Sequence, residues 1–362
     1  MSSDLKSAVT RPDAAHAGQY RVAIVGAGTL KGKEIAEVLG ERNFPSLEIK
    51  LLDDDESLGQ LESVGEEISF IQSARAEQFE HVDFTFFASD AECTRQTSAA
   101  ARKVGSAIVD LSSALEDEPD AIIRSPWVER QLGQTVVPQL QPGPVVVAHP
   151  AAIVLALLLL RIEKAASVRR AVATVFEPAS EHGQKGMDEL HEQTVNLLSF
   201  QQLPKKVFDA QIAFNMLASY GEQAVPPLGA IEQRILKHYR QIVGENALLP
   251  SVLLVQAPIF HGHAFAIHLE FEKTPDLKAV GNALAGDHVK VAQRAMDTPN
   301  NDAPNNVNAA GQGDILVSLA CDPSLPDGLW LWAAADNLRI SAATAVQCAE
   351  SMVASRPKGQ IQ

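Results

Sequence analysis

Arg21-Val-Ala-Ile-Val25 is an apolar run that ends at Gly26-Ala-Gly-Thr-Leu-Lys-Gly32, and Ile35, Val38 and Leu39 follow at helical spacing. A strand, a glycine turn and a helix in that order form a βα unit. Glycines in such a turn let the backbone approach a pyrophosphate, while the helix start offers unpaired N–H groups and the positive end of its dipole. In Gly26-x-Gly28-x-x-x-Gly32 the third glycine comes one residue later than in the standard dinucleotide fingerprint, and glycines can also serve simply to turn the chain.

Working outward, Leu47 to Leu52 reads as a second strand ending at Asp53, Asp83 to Ala88 as a third and Ala107 to Leu111 as a fourth. The segment Ser98 to Val104 between the last two reads as helix, and Val145 to Ala148 is one more buried strand, stopped by His149-Pro150. Strands and helices alternating at this spacing imply a Rossmann-like, doubly wound parallel sheet, so the fold class is α/β. Asp53 stands where a carboxylate can accept hydrogen bonds from an adenosine ribose; with Asp54, Asp55 and Glu56 behind it, it would repel a 2′-phosphate. NAD is therefore expected in preference to NADP, the alternative being a solvated acidic turn with no ligand.

Beyond Arg169 the texture changes. Phe265, Ile267, Leu269 and Phe271 alternate with His268 and Glu270, the mark of a sheet with one wet face. Ala171 to Phe176, Ser251 to Ile259, Asp314 to Ala320 and Leu329 to Ala334 are further strands, with helices at Gly186 to Leu198 and Ile231 to Ile242. This second domain is α+β. Ala151 to Leu160 is apolar throughout, but at ten residues before Arg161 it is a buried helix, well short of the roughly 18 residues that span a bilayer. Met296 to Asp314, rich in Asn, Asp, Pro and Gly, reads as an exposed loop.

The composition narrows the partners. A chain of 362 residues, 46% hydrophobic and 21% charged, fits two packed domains. Its net charge of −15 argues against nucleic acid and against an anionic membrane surface, leaving a small-molecule or nucleotide ligand. Cys93, Cys321 and Cys348 are odd in number and far apart, which suits a cytoplasmic location and supplies neither a disulfide framework nor a metal pair. Cys321 and Cys348 are expected in the core. His261 and His263 could share one strand face, but no third metal ligand suggests itself and no metal is expected. Ser180 and His182, two apart, are more simply turn residues than a catalytic dyad.

From Tyr20 to about Ser355 the chain resembles the aspartate-semialdehyde dehydrogenase family. The segments that carry the likeness are the glycine loop, Ala107-Ile-Val-Asp-Leu-Ser-Ser-Ala114, Gly183-Gln-Lys-Gly-Met-Asp-Glu-Leu-His-Glu-Gln-Thr194, Val207-Phe-Asp-Ala-Gln-Ile-Ala-Phe-Asn215, Gly262-His263 and Ala335-Asp-Asn-Leu-Arg339. Residues 1–19, which mix charged and small side chains without an apolar core, read as a flexible tail, and the resemblance implies a dinucleotide-binding domain over 20–150. It implies a dimerisation and catalytic-type domain over 151–334, a helix over 335–362 returning to the first domain, and a homodimer. It places Gly26, Gly28, Thr29, Gly32, Asp53 and Asn337 at the cofactor, although the family's fourth turn glycine is Thr29 here and the stretch after Asn337 is one residue short.

Members of that family oxidise a semialdehyde with phosphate, or reduce the acyl phosphate, through a cysteine thiolate in an Asn-Pro-Asn-Cys-Thr-like turn. Here the matching turn is His149-Pro-Ala-Ala-Ile153, so Ala152 stands at the nucleophile's place and its methyl group cannot attack a carbonyl. The family's orienting Gln is matched by Glu177, its phosphate-holding arginine falls at or near Glu116, and its carboxylate-holding arginine is matched by Gln256. His263 matches the acid/base histidine, but without a thiol partner a satisfied polar core or rim residue is the simpler reading. Cys93 is the one other thiol expected near the crevice. Two outcomes stay open: a pseudoenzyme that binds NAD or a protein partner, or a dehydrogenase of this or the related acetylglutamate type working by a route the residues do not reveal.

Overall fold

The opening apolar run forms β1 (Tyr20–Val25), and the glycine turn after it leads into α1 (Leu30–Glu41). The helix starts where it does because the Thr29 side chain accepts the Gly32 N–H at 3.0 Å, satisfying one of the first-turn donors that a helix leaves unpaired. In the computed structural model the described residues are 19–53, 59, 61–64, 67–134, 143–292 and 303–355.

The chain continues through β2 (Ser46–Asp53), a hairpin of β3 (Leu61–Val64) and β4 (Glu67–Phe70), and a short edge strand β5 (Gln72–Ser73). Then come β6 (Phe84–Phe87), α2 (Ala91–Lys103), β7 (Ala107–Asp110), β8 (Ile122–Arg124), α3 (Pro126–Gln131) and β9 (Val145–Val147). Seven of these strands form one sheet in the order β5-β2-β1-β6-β7-β9-β8, every pair parallel. This is the expected doubly wound sheet; the edge strands β5 and β8 and the hairpin lie outside the sequence reading because they are too short or too polar to show a period. The helix read as Ser98 to Val104 begins earlier, at Ala91, where the Asp90 carboxylate caps it by accepting the Cys93 N–H at 2.8 Å.

The second half contains α4 (Pro150–Ala165), β10 (Val168–Glu177), α5 (Gly183–Leu198), α6 (Leu228–Val243), β11 (Ser251–Gln256), β12 (His263–Phe271) and α7 (Leu277–Leu284). It ends with β13 (Val289–Val291), α8 (Asn306–Ala309), β14 (Ile315–Cys321), β15 (Gly328–Ala335) and α9 (Asn337–Ser355). A mixed six-stranded sheet runs β11-β10-β12-β15-β14-β13. The alternation in β12 resolves as read: Phe265, Ile267, Leu269 and Phe271 are wholly buried in the cluster that also holds α4, while His268 and Glu270 face the other way. Pro150, whose missing N–H costs nothing in a first turn, starts α4. The final helix packs on the first sheet, its Ala342, Ala345, Val346 and Ala349 joining Val22, Ile24 and Ile35, and Arg339 pairs with Glu34 at 2.8 Å and with Glu41.

Three expectations are corrected. The stretch Met296 to Asp314 is no plain loop over its described part, because Asn305 caps α8, Ala309 is buried, and Pro304 O accepts the Trp332 indole N–H at 2.8 Å. Cys321 is exposed at the end of β14 rather than in the core, whereas Cys348 is buried in α9 and burial pushes its thiol up to about 12. His261 and His263 share no strand face: β12 begins at His263, and Gly262 before it, at φ +79°, breaks the extended backbone. Asp54, Asp55 and Glu56 lie outside the described residues, as does most of the N-terminal tail. No described helix is long and apolar enough to cross a membrane.

Candidate functional site

At the carboxyl ends of β1 and β2 the glycine loop closes on itself. The N–H groups of Gly26 and Ala27 both donate to Leu52 O, and the Gly28 N–H donates to Asp53 Oδ2 at 2.8 Å. The Thr29 hydroxyl donates to Gly26 O at 2.8 Å and lies 3.1 Å from Ala88 O. Gly26 has φ +85°, and a Cβ there would stand 2.3 Å from Ser89 N; a Cβ on Gly32 would stand 2.0 Å from Gly26 O. Two of the three glycines are thus demanded by the packing of the turn itself, and Thr29 and Asp53 hold the loop together.

Asn337, at the start of α9, ties three elements into one point. Its Oδ1 accepts the Gly262 N–H at 3.1 Å and the Ser180 hydroxyl at 3.2 Å, while its Nδ2 donates to Glu181 Oε1 at 2.9 Å. Ser180 is therefore engaged with Asn337 and not with His182, whose Nε2 is instead 2.8 Å from the Tyr220 hydroxyl. Burial pulls the His182 imidazole down to about 4.

Glu177, the last residue of β10, and His263, the first of β12, are 0% and 1% exposed. Their nearest approach, Oε2 to Nε2, is 3.5 Å. Neither carboxylate oxygen of Glu177 and not the His263 Nε2 makes a hydrogen bond within the protein. Burial raises the Glu177 carboxyl above its usual range, only partly countered by His263. Beside them lies Glu181. Burial disfavours its charge too, but Lys31, His149, His263 and the Asn337 hydrogen bond together outweigh that and hold it at about 2. Lys31, from the glycine loop's own helix, reaches across to Glu181, Nζ to Oε2 at 3.6 Å.

Ala152 is wholly buried in the first turn of α4. Three residues earlier, the His149 ring accepts the Ala151 N–H at 3.2 Å and lies 5.8 Å, centroid to centroid, from His263. Burial takes His149 well below its ordinary value. The His149 N–H donates to His238 Nδ1 at 2.9 Å, which leaves the His238 proton on Nε2, facing Glu116 Oε2 at 2.8 Å. Arg234 donates to the other Glu116 oxygen at 3.1 Å and Lys237 lies 3.7 Å from Oε2. Burial opposes the Glu116 charge, but His238 and Arg234 overcome it and lower the carboxyl to about 2. The inversion of charge expected at Glu116 is thus neutralised by its neighbours. At Gln256 the amide is fully used: Nε2 donates to Glu177 O and Ala257 O at 3.0 and 2.9 Å, and Oε1 accepts from Tyr220 at 2.7 Å.

The structure gathers His263, Glu177, Asn337 and the start of α4 at the mouth of the glycine loop. Sequence reasoning missed Lys31, Glu181, His149 and His238. Lys31 alone carried a local signal, a cation in the first turn of a helix, where the dipole disfavours it. Cys93 sits in the first turn of α2, half-buried against the apolar cluster on one side of the first sheet. Among the described residues no three His, Cys, Asp or Glu side chains are placed to hold a metal ion.

The family model described as semialdehyde dehydrogenase, NAD binding domain, matches residues 21–135, and that described as semialdehyde dehydrogenase, dimerisation domain, matches residues 159–340. The chain belongs to the semialdehyde dehydrogenase family. It is similar to the aspartate-semialdehyde dehydrogenase of Rickettsia bellii, 30% identical over 92% of this chain and 98% of that one. It is also similar to a USG-1 protein homolog of Pseudomonas aeruginosa, 32% identical over 89% of this chain and 94% of the relative. Among solved structures, a probable aspartate-semialdehyde dehydrogenase from Pseudomonas aeruginosa superposes with a TM-score of 0.80 at 30% identity, covering 92% and 98% of the two chains. The aspartate semialdehyde dehydrogenase II of Vibrio cholerae, complexed with ASA, gives 0.79 at 26% identity, covering 93% and 98%.

Proposed function

We propose that this semialdehyde dehydrogenase homologue binds a nicotinamide dinucleotide but does not carry out the thiol-dependent reaction of its relatives. The observation that carries this reading is the buried methyl group of Ala152 in the first turn of α4, the helix that starts beside His149, whose ring lies 5.8 Å from that of His263. The test is a phosphate-dependent NAD(P) reduction assay with aspartate semialdehyde, run beside Ala152→Cys.

The loop geometry suits a dinucleotide phosphate. Its internal hydrogen bonds take up the N–H groups from Gly26 to Thr29 and those of Gly32 and Lys33, so the first two of α1, at Leu30 and Lys31, face no acceptor among the described residues. No acidic side chain lies in that first turn. When bound, the dinucleotide would supply hydride transfer. The chain's own part would be to seat a phosphate at Gly26, Gly28 and the start of α1, with the buried Asp53 at the loop disfavouring a 2′-phosphate. In calorimetric titration NAD should bind at least about tenfold tighter than NADP, worth roughly 1.4 kcal/mol. No heat with either nucleotide would remove the cofactor from this reading.

A homodimer belongs to the same reading. Exposed apolar side chains at Phe214, Met216, Val225 and Leu253, 50% to 88% exposed in the single chain, are the kind of surface a partner subunit covers. A sedimentation mass of one chain at micromolar concentration would exclude it.

A further inference from the structure

We propose that the buried carboxylate of Glu177, with Glu181 and His263 beside it, forms a binding site for a small ligand that carries a primary ammonium group and lacks the acidic groups of an acyl phosphate. The inference rests on the reading that this site has lost its thiol chemistry, and names what the altered site holds instead.

The argument begins from unmet hydrogen-bonding capacity. Neither oxygen of the wholly buried Glu177 carboxyl receives a well-formed hydrogen bond: its one polar side-chain neighbour among the described residues, His263 Nε2, stands off at 3.5 Å as a loose ion pair and has no closer partner itself. Buried polar groups are almost always satisfied, and leaving them bare carries a desolvation penalty, so a donor from outside the fold is strongly favoured. The nearby amides cannot serve. Gln256 spends its N–H groups on Glu177 O and Ala257 O, and Asn337 spends its own on Ser180 and Glu181.

The sign of the ligand's charge follows from the residues present. Gln256 and Glu177, which match an arginine and a glutamine in the resemblance, present no cation, and Arg234 and Lys237 are drawn off to Glu116. An anionic ligand would meet Glu177 and Glu181. An ammonium would meet two carboxylates, and one is already accommodated: Lys31 Nζ lies 3.6 Å from Glu181 Oε2. The Lys31 side chain is 24% exposed and comes from the opposite half of the molecule, so it is the movable member over an otherwise buried pair. A ligand ammonium would enter past Lys31, compete with it for Glu181 and donate to Glu177, with His263 Nε2 left to pair with a neutral polar group of the same ligand.

The test uses the full chain without aldehyde or dinucleotide. Methylammonium chloride, methanol as its neutral counterpart and inorganic phosphate are titrated while the histidine imidazole resonances are followed by NMR, in the unaltered protein, Glu177→Gln and Lys31→Met. Saturable methylammonium binding is expected, at least about tenfold weaker in Glu177→Gln and tighter in Lys31→Met, with no saturable response to methanol or phosphate. Equal binding in Glu177→Gln, equal response to methanol, saturation by phosphate, or no methylammonium binding in either the unaltered protein or Lys31→Met would overturn the proposal, the last result meaning that a buried water satisfies the pair. Should Glu177→Gln fail to fold, the three probes on the unaltered protein still decide. Dehydrogenase activity would defeat the earlier reading without touching this measurement, and absent ammonium binding would do the reverse.

Discussion

Incubated with aspartate semialdehyde, phosphate and NAD or NADP, the unaltered protein should reduce the nicotinamide no faster than a protein-free control. The covalent route implied by the resemblance needs an electron pair from a thiolate to reach the aldehyde carbon, and Ala152 supplies none. Removing the nucleophile of a covalent mechanism costs about 10⁶-fold in turnover, roughly 8 kcal/mol of barrier. Of the other thiols, Cys348 is buried and held protonated, Cys321 is exposed at the end of β14, and Cys93 lies in the first turn of α2 in the first domain. Ala152→Cys would put a thiol at a helix start, where the dipole favours the thiolate. It should still fall far short of a working dehydrogenase, because the resemblance matches Gln256 to the arginine that would hold the substrate carboxylate and Glu177 to the orienting glutamine, and a lost charged contact costs about 2–5 kcal/mol. Turnover by the unaltered chain is the result that would sink the non-catalytic reading.

Replacing Gly26 by alanine should destabilise the protein by at least about 3 kcal/mol, read as a fall in the denaturant midpoint at unchanged slope. Two costs add at this position. The backbone is in the left-handed region at φ +85°, and the new Cβ would meet Ser89 N at 2.3 Å, a main-chain atom that cannot swing away. Gly229 is the matched control: it lies in the first turn of α6, and a Cβ there meets nothing within 4 Å. Gly229→Ala should be neutral or stabilise by up to about 1 kcal/mol through helix propensity. Equal effects at the two positions would mean that the turn yields and that its glycines serve some purpose other than close packing.

How much of this was legible beforehand depended on range. The strand, turn and helix from Arg21 to Leu39, the alternation in β12 and the apolar run of α4 each declare themselves within about a dozen residues, because burial of one face imposes a period on the chain. The edge strands β5 and β8 are too short to do so, and Asn305 to Ala309 looked like loop because its helix is a single capped turn.

The sequence by itself determined the doubly wound sheet, the α+β second domain with its half-solvated sheet and the methyl side chain at position 152. Only the tertiary structure decided what the charged residues do: that Lys31 faces Glu181, that Glu116 is neutralised by Arg234, Lys237 and His238, and that Glu177 and His263 meet without hydrogen-bond partners. A period records which face of an element is buried. The partner of a charge is set by which distant element packs against that face, and no local pattern encodes it.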